Sequence, residues 1–164
     1  MPLFKPLQVM ATDEGGKNCG IDYDTVMQFV KKAHANQCDK SRKPYINHLI
    51  AVADGVEGET AKIVALLHDI IEDTDCALED LRARGFSEII IQAVDCLTKR
   101  YGESYNDYLI RVASNETATD VKISDLKHNS DLKRLKYVNE KDIKRKEKYK
   151  RALFFLQKVK KSKS

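Results

Sequence analysis

From Ile63 to Leu67 the chain is apolar on every face that a helix could present, and the next six residues then include His68, Asp69, Glu72 and Asp73. On a helical wheel of about 100° per residue, Ile63, Val64, Leu67, Ile70 and Ile71 share one side. The four polar residues share the other, with His68 and Glu72, like Asp69 and Asp73, as i, i+4 neighbours. An amphipathic surface helix would show the same segregation. Here, however, Ala65 and Leu66 occupy the azimuth of the later charges, so the helix is surrounded by protein and delivers its charged residues from inside. A chain with such a helix has to wrap it in other elements. Desolvated carboxylates at this spacing repel one another unless a cation or protons neutralise them, and the pattern asks for a metal ion.

The remaining hydrophobic spacing is helical too. A first helix is expected near residues 22 to 36, capped by Asp22 or Asp24, with Val26, Phe29, Val30 and Ala33 as its apolar stripe. The basic loop "CDKSRKP" closes at Pro44, and "YINHLIAVADGV" forms a second helix that stops at Gly55. A third runs from about Glu59 to Glu72 and a fourth covers "ALEDLRAR" up to Gly85. "SEIIIQAVDCLTK", "ESYNDYLIRVASN", "TATDVKISDLKHNSDLKRL" and the basic terminus supply the fifth to eighth. No β alternation is sustained and the turns are short, so the expected class is all-α, a compact bundle of about eight helices. A chain of 164 residues is long enough for one core without staples. The expected division is an irregular arm over residues 1–20 (Pro2, Pro6, Gly15, Gly16), one helical domain over 21–158 and a basic tail over 159–164.

Hydrophobic residues make up 42% and charged residues 33%, which excludes a wholly disordered chain. Cys19, Cys38, Cys76 and Cys96 are scattered without a C-x-x-C pair, so they are read as reduced thiols rather than a zinc ribbon or disulfide framework. The first residues lack the apolar core of a signal peptide and no run reaches about 18 apolar residues; a cytoplasmic protein with no membrane partner is expected. The net charge of +4 hides an asymmetry. Lys141 to Ser164 hold 11 Lys and Arg against 2 acidic residues, a local +9 that leaves the rest at −5. A basic helix of this kind can touch nucleic acid or an acidic membrane, but its ordinary role is a solvated face, and nucleic acid is not expected as a partner. The sequence sets no oligomeric state.

A helix cannot wrap a cation alone, so a second half-site is required. In "VKISDLKHNSDL", Asp125 and Asn129 are again i, i+4, with Val121, Ile123 and Leu126 packing around them. A further histidine should come from an apolar helix: His48 in "YINHLI" or His34 in "KKAHANQ". His128 is a third candidate, but it is expected off the Asp125 face and exposed. Two histidines and two aspartates make a mixed N/O site with open positions, suited to Mn²⁺, Fe²⁺ or Mg²⁺ better than to structural zinc. Tyr105, Tyr108 and Arg111 could stack on a base or bind phosphate; tyrosines at helical spacing also serve as core.

Taken in order, "AHANQ", "KPYINHLIAVA", "ALLHDIIEDTD", "LEDL", "AVDCLTK" and "VKISDLKHN" resemble the HD-domain metal-dependent phosphohydrolases, and within them the hydrolase domain of the RelA/SpoT alarmone enzymes and its small stand-alone relatives. The resemblance implies His48 rather than His34 as the first metal histidine, completing a set of His48, His68, Asp69 and Asp125 around a divalent ion, Mn²⁺ foremost. It implies Glu72 and Asp73 as the acid/base carboxylates, with Lys40, Arg42 or Lys43 and Asn129 facing the substrate. His34, at the end of the first helix, is then read as a residue lining the pocket. Lys122 and Tyr105 are further candidates for the rim. Where the family commonly reads "SGEPYIxHP", this chain has "SRKPYINHL", so the nucleotide loop is altered while the ligand is kept. The chain continues only to Ser164 after this last motif, so hydrolysis without synthesis is expected. The implied activity is removal of the 3′-pyrophosphate of ppGpp. The alternatives are a nucleotidase or nucleotide phosphatase of broader specificity and, from another class, a non-catalytic nucleotide or nucleic-acid binding module.

Overall fold

The computed structural model describes residues 21–164, so the N-terminal arm expected over 1–20, including Cys19, lies outside the described residues. The helices are α1 (Tyr23–Ala33), α2 (Ile46–Asp54), α3 (Glu59–Leu67), α4 (Ile70–Asp73), α5 (Leu78–Ala83), α6 (Glu88–Leu97), α7 (Tyr105–Ala113), α8 (Glu116–Asn129) and α9 (Glu140–Ser162), with a 3₁₀ turn at Leu132–Arg134. The all-α class expected from periodicity is what the chain adopts. Asp22, Ser87, Ser104, Asn115 and Asn139 each accept a backbone N–H from the first turn of the helix they precede, which places five of the helix starts.

α3 is the axis of the molecule. Val64, Ala65, Leu66 and Leu67 are all fully buried, because α1, α2, α6 and α8 pack around α3 on every side. Burying a leucine contributes roughly 1.5–3 kcal/mol relative to exposure, so this one segment explains much of why the other helices gather where they do. α9 lies across α8 and α7, anchored by Ala152 and Leu156. It continues to Ser162, and Lys160 Nζ reaches Asp120 Oδ1 at 2.7 Å. Among the described residues no helix is long and apolar enough to cross a membrane, and Cys38, Cys76 and Cys96 are free thiols.

The continuous third helix expected to reach Glu72 is interrupted. α3 ends at Leu67, and Asp69 takes φ −106° and ψ 1° before the single turn of α4. The physical cause is local. The His68 side chain donates Nδ1–H to the Ala65 carbonyl at 2.6 Å, competing for an acceptor that helix propagation would use.

Candidate metal centre

The break between α3 and α4 turns His68 and Asp69 toward α2 and α8. One donor atom from each of His48, His68 and Asp125 lies within 4.8 Å of the others, and all three residues are buried. His48 Nε2 stands 3.0 Å from Asp125 Oδ1. His68 Nε2 stands 3.0 Å from Asp69 Oδ2 and 3.4 Å from Asp125 Oδ1, yet completes a hydrogen bond with neither. A shared cation would satisfy this arrangement of bare donors, and the donor set is of the mixed N/O kind that divalent ions accept. Asp69 stands at the edge of the group, where the Tyr45 hydroxyl donates to its Oδ2.

Charge in this cluster is balanced from inside. Burial opposes ionisation of Asp125, but the Lys122 ammonium 2.8 Å away and the two imidazoles hold its carboxyl well below the usual range. Asn129 Nδ2 adds a bond to Asp125 Oδ1 at 2.9 Å, as the i, i+4 spacing predicts. Burial likewise opposes charge on His68, while Asp69 and Asp125 raise it well above its ordinary value. The carboxylates thus demand positive charge, which a proton or a metal ion supplies.

Glu72 and Asp73 sit on α4, both exposed at its surface but close to the buried donor group. Burial pushes each carboxyl up, and the Asp69 charge adds to both shifts. Glu72 Oε1 is held by the backbone N–H of Lys99, in the loop after α6. That loop is clasped in turn by Arg111, which donates to Glu103 at 2.7 and 2.8 Å and to the carbonyls of Asp95 and Thr98 at 2.9 and 2.7 Å.

Beside the cluster opens a cavity of about 290 Å³, lined by His48, Tyr45, Lys40, Asn129, Arg134, Arg145, Lys146 and Tyr149 among others, at the lower end of small-molecule sites. Asp39 and Asp142 also face it, but they are occupied: Asp39 ties the "DKSRKP" turn and pairs with Arg134, and Asp142 caps α9 and pairs with Arg145. Lys40 and Lys146 make no ion pair among the described residues. Burial and the neighbouring guanidinium of Arg145 lower the Lys40 ammonium from its ordinary value; a bound anion would relieve that crowding.

No family model matches the chain. In sequence it is similar to a GTP pyrophosphokinase of Streptomyces coelicolor, 34% identical over 116 residues that cover 62% of this chain and 14% of that protein. It is similar to a guanosine-3′,5′-bis(diphosphate) 3′-pyrophosphohydrolase of Aquifex aeolicus, 33% identical over 111 residues that cover 60% of this chain and 16% of the other. In fold it matches the solved structure of a metazoan ortholog of SpoT that hydrolyzes ppGpp, with a TM-score of 0.63 across 94% of this chain and 99% of that one at 21% identity. The chain is related to the HD-domain hydrolases of the RelA/SpoT kind. It spans about one-seventh of the length of the curated relatives it matches.

On this HD-type fold the sequence-expected residues separate into groups. His48, His68, Asp69 and Asp125 converge, and Lys40 and Asn129 line the cavity. Arg42 does not: its side chain is exposed outside the lining. His34 is buried behind Tyr45, donating from Nδ1 to Gln37 Oε1 at 2.8 Å, while Gln37 Nε2 donates to the Asp73 carbonyl. Lys122 stands beside Asp125, half-buried over the Tyr108 ring. Tyr105 lies in a different groove, between α7 and α9 under Lys148, and Tyr108 is core, its hydroxyl donating to the Leu97 carbonyl. His128, expected exposed, is half-buried and meets His48 at 2.7 Å. Arg134, Arg145, Lys146 and Tyr149 were not singled out by sequence reasoning; the only signal was that Arg145, Tyr149, Ala152 and Leu156 recur at helical spacing within an otherwise basic helix.

Proposed function

We propose that the chain is a metal-dependent phosphohydrolase acting on a phosphorylated nucleotide, foremost removing the 3′-pyrophosphate of ppGpp. The observation that carries this reading is the sharing of His48: the same side chain belongs to the three-donor metal group and to the wall of the cationic cavity. A phosphate held by that wall is therefore adjacent to the group. His48, His68, Asp69 and Asp125 would hold the ion, Mn²⁺ foremost with Fe²⁺ or Mg²⁺ as substitutes. When bound, it would supply a Lewis acid for a phosphoryl oxygen and lower the pKa of water beside it.

The chain's own residues account for the rest. Glu72, its carboxyl raised by burial and one oxygen fixed by the Lys99 N–H, accepts the proton of the attacking water. Asp73 orients that water. The water oxygen bonds to phosphorus, the bond from phosphorus to the 3′ oxygen breaks, and the proton held by Glu72 passes to that oxygen, leaving a 3′ hydroxyl on the nucleotide and free pyrophosphate. Lys40, Arg134, Arg145 and Lys146 neutralise the substrate's charge against the Asp and Glu cluster, and the Tyr149 ring offers a surface for the base.

A second reading rests on the "DKSRKP" loop beside the cavity, which contributes Lys40 to the lining while Arg42 stays exposed outside it. This altered loop favours a nucleotidase of broader specificity using the same acid/base residues. The test is a hydrolysis screen with Mn²⁺, Mg²⁺ and chelator over ppGpp, GTP, dNTPs and nucleoside monophosphates, comparing wild type with Asp69→Ala and Glu72→Ala. Manganese-dependent pyrophosphate release from ppGpp, lowered about 10²–10⁴-fold by Glu72→Ala, is the expected result. Orthophosphate release from other nucleotides would move the substrate to the second reading. No turnover by wild type would overturn both.

A further inference from the structure

His48 uses one ring nitrogen toward the metal group, and its other meets a second imidazole. His48 Nδ1 and His128 Nδ1 are 2.7 Å apart, with the ring planes tilted 31°. Two ring nitrogens at that distance require one donor and one acceptor. When His128 donates, neutral His48 carries its own proton on Nε2, the atom 3.0 Å from Asp125 Oδ1, and has no lone pair there for a cation. When His48 donates, its Nε2 lone pair is bare and aimed into the donor group. Only the second arrangement lets His48 act as a ligand.

We infer that His128 is a positioning residue for the metal centre: it accepts the His48 Nδ1 proton, carries its own proton on Nε2, and so fixes both the ring plane and the tautomer of His48. The inference rests on the metal reading above and deepens it. His68 has a simpler support, since its Nδ1 donates to the Ala65 carbonyl, an oxygen that can only accept. Its Nε2 is therefore set by the backbone. His128 can take either role, which makes His48 the conditional arm of the site. Exchange between the two arrangements passes the His128 Nδ1 proton to His48 Nδ1, releases the His48 Nε2 proton to solvent and takes one from solvent onto His128 Nε2, with no net change in charge. α8 thereby contributes to the site twice, with Asp125 in the donor group and His128, three residues later, orienting the donor from α2.

The experiment is calorimetric titration of the full chain with Mn²⁺, comparing wild type with His128→Phe, which removes the acceptor, and His128→Asn, whose amide oxygen can accept in its place. Affinity should fall about 10–100-fold in the Phe variant, the usual cost of losing such a support, and return toward wild type in the Asn variant. In wild type with diamagnetic Mg²⁺ bound, ¹⁵N-edited NMR should find the His48 ring proton on Nδ1 and the His128 ring proton on Nε2, a readout that needs no variant to fold. Equal affinity in all three proteins, or a His128 proton on Nδ1 in the bound state, overturns the inference while leaving the metal reading intact. Failure of wild type to bind either ion overturns both.

Discussion

Arg42 is the one non-glycine residue with positive φ among the described residues. Around it Asp39 Oδ1 accepts the Ser41 N–H, the Ser41 hydroxyl and the Lys43 N–H, so the turn is held by its neighbours and the left-handed conformation is imposed on Arg42. A side chain in that region costs about 1 kcal/mol. Arg42→Gly is therefore expected to raise stability by about that amount in urea unfolding and to leave nucleotide binding unchanged, whereas Lys40→Ala should weaken nucleotide affinity without a comparable change in stability. The contrast explains what could be read at this scale. His68, Asp69 and Asp125 stood out because buried ionisable residues on apolar helices are exceptional wherever they occur. Lys40 and Arg42, two residues apart in one loop, look alike as letters, and only the direction of the turn decides which enters the cavity. His128 was misread because its partner lies on another helix, 80 residues away.

Between elements, precision depends on close approach. A Cβ on Gly55 would sit 2.2 Å from Ser124 Oγ, the hydroxyl that donates to the Val52 carbonyl at 2.8 Å. The end of α2 and the middle of α8 thus meet beside Asp125. Gly55→Ala should lower stability by about 1–3 kcal/mol and weaken Mn²⁺ binding with it, seen as parallel losses in thermal unfolding and titration, because separating these helices separates His48 from Asp125. Gly55 was legible as a helix stop, but not as the contact that sets the spacing of two donors. The α6–α7 loop gives a second case. Arg111, offered by the sequence as a phosphate contact, instead clasps Glu103 and lowers its carboxyl to about 2. Since the folded value lies below the ordinary glutamate value near 4.3, the stabilisation is present above that pH and is lost as pH falls toward about 2. Wild type should therefore exceed Glu103→Gln in stability at pH 6, and the two should converge near pH 2 in denaturant titrations.

Across the whole molecule, the donor group joins α2, α8 and the end of α3, so an ion bound there ties together segments far apart in the chain. Saturating Mn²⁺ at about 100 times its Kd should add about 2.7 kcal/mol, visible as a rise in Tm that disappears with chelator and is absent in Asp125→Ala. The all-α architecture was legible because a helix buried on every side requires wrapping by others. The cationic wall was not, because α9 carries basic residues around much of its circumference and packing alone selects Arg145 and Lys146 for the cavity. The interruption at His68 and Asp69 has a consequence in time as well as in space. α3 lies among fully buried side chains, whereas α4 is one turn whose Glu72 and Asp73 are exposed. Hydrogen exchange should find amides of Val64 to Leu67 opening only with global unfolding and those of Glu72 and Asp73 opening locally. A helix running unbroken to Glu72 would have bound the proposed base to the slowest-moving part of the protein; the break lets it breathe while the core stays closed.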